Sequence, residues 1–371
     1  PAIQAAPGAS RDAALRQSPR VPVNGPRLGG SIALKGGRID DLTMLDYKAT
    51  IDEGSPAVTL FSPQGAPQPY FGQFGWVPIG ELKVPDSDTV WQADHPSVQP
   101  ARPLTLSWDT GQGVRFIQVV EIDDNFMMTV TQRVENNSTQ AISTHPYGRI
   151  ARTHTPNTLG FYILHEGPLA VFNETLKEVD YDDLQEGPAD ATKSTGGWIG
   201  ITDKYWLAAL IPDQKQPYTG TFRYSKPNKQ DTYQADFMTQ APQLIAPGAT
   251  AQTVSHVFVG AKEVTLLDRY EEQLGIARFD LAVDFGWFYF LTKPLFFVLD
   301  YFFKMLGNFG LAILLLTVCV KAVFFPLANK SYKSMSKMKA LQPEMTKLRE
   351  RHGDDRTKMN QEMMALYKRE K

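Results

Sequence analysis

Lys321 makes the clearest chemical demand in this chain. It is the only charge within Phe309 to Ala328, FGLAILLLTVCVKAVFFPLA, a run long and apolar enough to span a bilayer as one helix. A lysine at the centre of such a helix costs on the order of 2.5–3.5 kcal/mol on insertion scales, so it requires compensation. Snorkelling would carry the ammonium to the nearer interface. That interface, however, is seven residues away at Ala328, about 10 Å of helix rise, and the side chain leans toward the helix N-terminus, away from it. A polar cavity inside the membrane fits better. Thr317 lies one turn back on the same face. Pro326 cannot donate to the carbonyl of Ala322, which leaves an extra acceptor nearby. Together these residues make one wet face on an otherwise oily helix.

No comparable constellation stands elsewhere. His95, His145, His154, His165 and His256 lack metal-ligand spacing, and neither a nucleophile elbow nor a phosphate loop is present. His165-Glu166 resembles a pair used by sugar epimerases, yet neighbours on a strand point to opposite faces, which favours structural roles. Asn136-Asn137-Ser138 fits a glycosylation sequon and, equally simply, a turn. No catalytic residue, metal ligand or cofactor is therefore expected.

Composition bounds the elements that must position Lys321. The 371 residues carry a net charge of -2, which excludes a global basic field for nucleic acid, and DNA binding is not expected. Charge is unevenly placed: from Asn329 to Lys371 twelve basic residues face six acids. The positive-inside rule puts that tail in the cytoplasm and the large N-terminal part outside it, in the periplasm of a bacterium. Cys319, the single cysteine, lies in the membrane run, so the exported part must be stable without disulfides. Pro1 opens no signal-peptide pattern, and export implies an upstream signal or transmembrane segment.

Residues 1–28, rich in Pro, Ala, Gly, Gln and Arg, read as a flexible tether. Residues 29–262 read as a β domain, its strands lying between Gly29 and Gly260: short alternating or β-branched runs punctuated by Gly, Pro, Asn and Asp. The clearest pair is Val114 to Ile122 and Phe126 to Glu135, joined at Asp123-Asp124-Asn125. Further strands are expected at Gly197 to Thr202, Trp206 to Ile211, Thr219 to Tyr224, Thr232 to Thr239 and Thr250 to Val259. Many short strands at this spacing predict a mainly β fold, one large antiparallel two-sheet sandwich. From Glu263 to Val283 the period becomes helical, with Leu267, Tyr270, Leu274, Ala277 and Leu281 on one side.

Gly286 to Leu306 is oily and aromatic, within a segment spanning residues 284–308. Lys293, Asp300, Lys304 and Tyr289 share one face, which favours a helix lying in the membrane interface over a second crossing. Gly307-Asn308 then turns the chain into the membrane helix at residues 309–328. Residues 329–371 predict a cytoplasmic helical hairpin, Lys330 to Arg351 and Asp355 to Lys371, capped at His352-Gly353-Asp354. Its arms repeat apolar residues at Met338, Leu341, Met345, Leu348 and at Met359, Met363, Leu366, with a kink expected at Pro343. Met335, Met338, Met345, Met359 and Met363 are candidates for a deformable surface meeting varied apolar partners; core filler is the simpler alternative.

The run GNFGLAILLLTVCVKAVFFPL, followed by KSMSKMKALQPEMTKLRERHGDD and QEMMALYKREK, resembles the YidC/Oxa/Alb superfamily of membrane insertases. DFGWFYFLTKPL resembles the lead into the conserved core of that superfamily, and GGSIALKGGRIDDLTMLDYK the start of the periplasmic domain of its Gram-negative members. The resemblance implies a β super-sandwich periplasmic domain similar to sugar mutarotases, an inner-membrane location and no catalytic chemistry. It implies a hydrophilic groove in which a positive residue, usually arginine, receives polar parts of nascent membrane proteins. Lys321 matches that position, with Thr317 beside it. The lysine departs from the usual fork geometry, since it is a point charge. The hairpin matches a cytoplasmic region that works with substrates and, transiently, with ribosomes. Sec translocon components and the lipid bilayer complete the implied partners, and later membrane helices would complete the groove. A membrane-anchored periplasmic binding module and a carbohydrate-active sandwich enzyme are the competing readings.

Overall fold

Alternation of apolar and polar residues builds two antiparallel sheets in the computed structural model of the chain, which describes residues 10–158, 164–187, 189–351 and 356–369. One sheet is ten-stranded, in the order Arg20–Asn24, Leu28–Ala33, Arg38–Lys48, Tyr70–Ile79, Ile142–Thr153, Thr232–Thr239, Pro217–Ser225 and Asp190–Thr195. Ala57–Phe61 pairs with the third of these and Gln243–Ile245 with the fifth. The other sheet is nine-stranded, in the order Thr175–Glu178, Gly167–Phe172, Gly197–Thr202, Trp206–Ile211, Thr250–Ala261, Met127–Asn136, Val114–Ile122, Leu104–Asp109 and Gln92–Ala93. Val114–Ile122 and Met127–Asn136 form a hairpin whose turn is held by Asp123 Oδ1, which accepts from the backbone N–H of Asn125 at 2.9 Å and of Met127 at 3.0 Å.

The inner faces interdigitate as a single apolar core. Met128, Val130 and Val134 alternate with half-buried residues along one strand, as a period of two requires. Two buried glutamines cross between the sheets. Gln118 Nε2 donates to the Phe74 carbonyl at 2.9 Å and Gln132 Nε2 to the Gly75 carbonyl at 2.6 Å. A buried amide lacking such acceptors would be costly, so these bonds also fix how the sheets face each other.

Residues 10–28, expected as part of a flexible tether, are structured instead. Ser10 caps a short helix, Arg11–Leu15, and Arg20–Asn24 is a strand with Val21 and Val23 buried. Pro22 is tolerated because only its carbonyl is required there: it accepts from Val98 N–H at 3.0 Å. Composition hides this strand because its partners, Leu28–Ala33 and Val98, supply the reason for it.

The connecting segment is likewise not one helix. Val264–Leu274 ends at Gly275, which takes the left-handed conformation (φ 65°), and a 3-10 turn follows at Phe279–Ala282. Leu266, Leu267 and Tyr270 are buried, but beyond the break Ile276 and Phe279 replace Leu274 in the core. Phe279 packs edge-on against Trp198 and Phe258, each with ring centres 5.6 Å apart.

The chain divides into two units, Pro1–Asp284 and Phe285–Lys371. In the second, Tyr289–Leu306 is a helix whose polar residues pair along one face: Lys304 with Asp300 at 2.6 Å, and Lys293 Nζ with the Tyr289 hydroxyl at 3.0 Å. Gly307 (φ 64°) turns the corner, and Asn308 Oδ1 accepts from Leu311 N–H at 3.1 Å at the head of the next helix. That helix runs unbroken from Phe309 to Arg351, so the expected membrane helix, residues 309–328, and the first hairpin arm, Lys330 to Arg351, are one continuous element. Pro326 and Pro343 both sit inside it. Each proline removes one intrahelical bond, and continuity across both means the flanking turns hold without those bonds. The last helix is Arg356–Arg369, and the His352-Gly353-Asp354 cap lies outside the described residues.

Candidate intramembrane site and cytoplasmic hairpin

Among the described residues, Phe309–Arg351 is the one helix apolar and long enough to cross a membrane. Thr317 and Lys321 stand one turn apart on it, both exposed. The Thr317 hydroxyl donates to the Ile313 carbonyl at 2.8 Å, which holds its oxygen on the helix surface with lone pairs free. Around them Leu314, Val318, Val323, Phe324, Phe325 and Leu327 are exposed and apolar. One ammonium and one hydroxyl are thus offered from an oily surface, an arrangement that attracts anionic or strongly polar groups.

The methionines separate into two groups. Met345, Met359 and Met363 are half-buried, and Leu366 is buried where Arg356–Arg369 meets the end of the long helix. The Tyr367 hydroxyl lies 3.6 Å from Met345 Sδ. Met335 and Met338 remain exposed, on a face shared with Ser331, Ser334 and Gln342. The structure therefore brings the three half-buried methionines into the hairpin seam and leaves the other two on an open helix surface.

In the sandwich, His145, His165 and His256 take structural partners. His165 Nε2 is 3.0 Å from the Pro168 carbonyl, while Glu166 accepts from Lys204 N–H at 3.2 Å, so the adjacent pair serves separate contacts. His145 Nδ1 lies 2.9 Å from the Thr239 carbonyl and His256 Nδ1 3.0 Å from the Thr129 hydroxyl. Burial holds the His256 ring below its usual range. Asn136 is fully buried; its amide donates to the Gln140 and Ile245 carbonyls and its oxygen accepts from Ser138, a turn role that leaves the amide inaccessible to glycosylation. No group of three or more His, Cys, Asp or Glu is placed to hold a metal among the described residues.

One charged cluster had no sequence signal. Lys262, at the end of strand Thr250–Ala261, hydrogen-bonds the Thr202 hydroxyl at 2.9 Å. Burial pushes its ammonium down to about 8, against the opposing pull of Asp203, Asp284, Glu166 and Glu178. Nearby Arg152 pairs with Asp203 at 2.6 Å and stacks over Tyr70 at 5.0 Å. These residues are distant in sequence, so only the turn at 202–206 and the strand ends bring them together.

Residues 20–298 match the family profile of the YidC periplasmic domain, and residues 301–371 match that of the 60Kd inner membrane protein. The chain belongs to the YidC family. The "Membrane protein insertase YidC" of Methylobacterium radiotolerans is 47% identical over 381 residues, covering 100% of this chain and 61% of that protein. Its counterpart in Methylorubrum extorquens is 48% identical over 372 residues, covering 98% and 60%, and that of Granulibacter bethesdensis 46% identical, covering 97% and 64%. The chain thus spans about three fifths of the length of these YidC relatives. Among solved structures, a galactose mutarotase related enzyme from Lactobacillus acidophilus covers 65% of this chain and 97% of its own, at 8% identity and TM-score 0.45. A putative aldose 1-epimerase from Escherichia coli K12 covers 65% and 98%, at 14% identity and TM-score 0.42.

Proposed function

We propose that this YidC-family chain serves a membrane protein insertase and chaperone that helps inner-membrane proteins enter and fold in the bilayer. The observation that carries the reading is Lys321: a lone charge beside a hydroxyl in the apolar run Phe309–Ala328 of a continuous helix. The names of the relatives support it. In the proposed mechanism Lys321 and Thr317 line a hydrophilic groove. A fixed positive charge in a wet intramembrane cavity lowers the cost of drawing a substrate's short polar segment partway across, while the apolar remainder partitions into lipid beside it. Lysine supplies a point charge, so it attracts without a bidentate contact. The work is electrostatic and needs neither nucleotide nor metal.

Orientation follows the basic excess after Ala328: the sandwich lies in the periplasm and the hairpin in the cytoplasm. The exposed Met335 and Met338, with the seam around Met345, Met359 and Met363, offer adaptable apolar contact to nascent chains. Ribosomes and Sec translocon components are the remaining partners of this reading.

The test is a substitution series in the full-length protein. Lys321→Arg is expected to keep complementing activity, and Lys321→Ala and Lys321→Glu to lose it at unchanged expression. A cysteine at position 317 or 321, with Cys319 replaced, is expected to react with a membrane-impermeant thiol reagent from the cytoplasmic side. An unlabelled site together with a fully active alanine variant would refute the groove.

A further inference from the structure

Because Phe309–Arg351 is one helix, the residues after its apolar run continue its helical register. From Phe309 to Pro343 the helix holds no acid, while Lys330, Lys333, Lys337 and Lys339 follow the apolar run. At about 100° per residue, Lys330, Lys333, Ser334 and Lys337 fall within about 100° of arc, with Lys339 on the opposite side. All four stripe residues are exposed, and the three lysines of the stripe have no hydrogen bond or ion pair among the described residues.

Depth selects the occupant. With Ala328 at the edge of the hydrocarbon, Lys330 stands about 3 Å beyond it, Lys333 about 8 Å and Lys337 about 14 Å. A headgroup layer is about 5–7 Å thick on each side. Helical side chains lean toward the N-terminus, here toward the bilayer, so the long stems return their ammonium groups to the headgroup layer. Lys330 and Lys333 then present their ammonium groups where phosphodiesters are concentrated, with Ser334 and Lys337 just beyond, and no carboxylate precedes Glu344 on the helix. A nucleic acid would have to enter that layer to reach Lys330.

We infer that the Lys330–Lys333–Ser334–Lys337 face binds the phosphate of an anionic phospholipid at the mouth of the membrane helix. The bound lipid supplies the counter-charge that the described residues do not place beside the stripe and sets the depth at which the helix leaves the bilayer. The inference rests on Phe309–Ala328 crossing the membrane and is independent of insertase activity.

The experiment uses the full-length protein in nanodiscs of phosphatidylcholine with a fraction of phosphatidylglycerol, reading by native mass spectrometry which lipids stay bound. Lys330→Glu/Lys333→Glu/Lys337→Glu is expected to lower the preference for phosphatidylglycerol about tenfold or more, and the corresponding triple arginine variant to keep it. A charge-matched control off the stripe, Lys339→Glu/Lys347→Glu/Arg349→Glu, is expected to stay within about twofold of the parent. Equal loss in both glutamate variants means a diffuse basic field and overturns the site. An unchanged lipid preference overturns it too, and if ribosome co-sedimentation falls instead, the stripe is a ribosome contact. An insertion assay on the same samples separates the two proposals: lipid preference retained in an inactive protein leaves this one standing.

Discussion

Arg27, in the turn between strands Arg20–Asn24 and Leu28–Ala33, donates from both terminal nitrogens to the carboxylate of Glu263, 236 residues later at the head of helix Val264–Leu274. Tyr47 donates to the same carboxylate, Asp46 pairs with Arg27, and the guanidinium stacks on Phe126 at 4.3 Å. The first hairpin of one sheet is thereby fastened to the helix that follows the last strand of the other.

Glu263→Gln removes the charge at the centre of this fastening. Burial alone would raise the Glu263 carboxyl, but the hydrogen bonds from Arg27 and Tyr47 outweigh it and hold it below the ordinary 4.5. A carboxylate lowered in the folded state stabilises the fold above its unfolded value, and that stability is lost as pH falls through the folded one. The variant is expected to lose about 1–2 kcal/mol at neutral pH, allowing for partial exposure, and to show a flatter acid limb in denaturant titrations. An unchanged acid limb would rule out the role.

Gly260 shows how tightly the same corner is packed. A Cβ there would meet Phe126 Cγ at 2.3 Å, and that ring is fully buried under Arg27. Gly260→Ala should destabilise the sandwich by about 1–3 kcal/mol through overpacking. Gly54→Ala, where no atom lies within 4 Å, should stay within about 0.5 kcal/mol. Comparing urea midpoints of the two variants checks this.

Lys262 predicts an alkaline gain. Its ammonium is lowered from 10.5 to about 8 by burial, so between those values the unfolded chain binds more protons than the folded one and stability rises with pH. Lys262→Met should remove that rise. Denaturation of wild type and variant at about pH 7.5 and about pH 9.5, either side of the folded value, gives the comparison. Parallel pH dependences would refute the assignment.

The proposed single crossing by Phe309–Ala328 would separate the sandwich from the hairpin. In spheroplasts, external protease should cut within residues 29–260 and spare residues 330–371. Digestion of both regions from outside would make Tyr289–Leu306 a second span.

The apolar run, the lone charge in it and seven strands of the sandwich follow from sequence alone, because each is a local pattern. Gly197–Thr202, Trp206–Ile211 and Thr232–Thr239 have the limits that alternation and turn residues imply. Asp123-Asp124-Asn125 marks its hairpin for the same reason. Tertiary structure decided what depends on remote partners. Arg20–Asn24 is a strand because Leu28–Ala33 and Val98 accept it, not because Val21-Pro22-Val23 prefers to be one. The break at Gly275 exchanges Leu274 for Ile276 and Phe279 in the core, and Trp198 and Phe258 offer the Phe279 ring its site. The Lys262 cluster arises from strand ends that the connectivity brings together. Pro326 reads locally as freeing a carbonyl acceptor and Pro343 as a kink; the helix is continuous across both, and the lysine stripe inherits its register from that continuity.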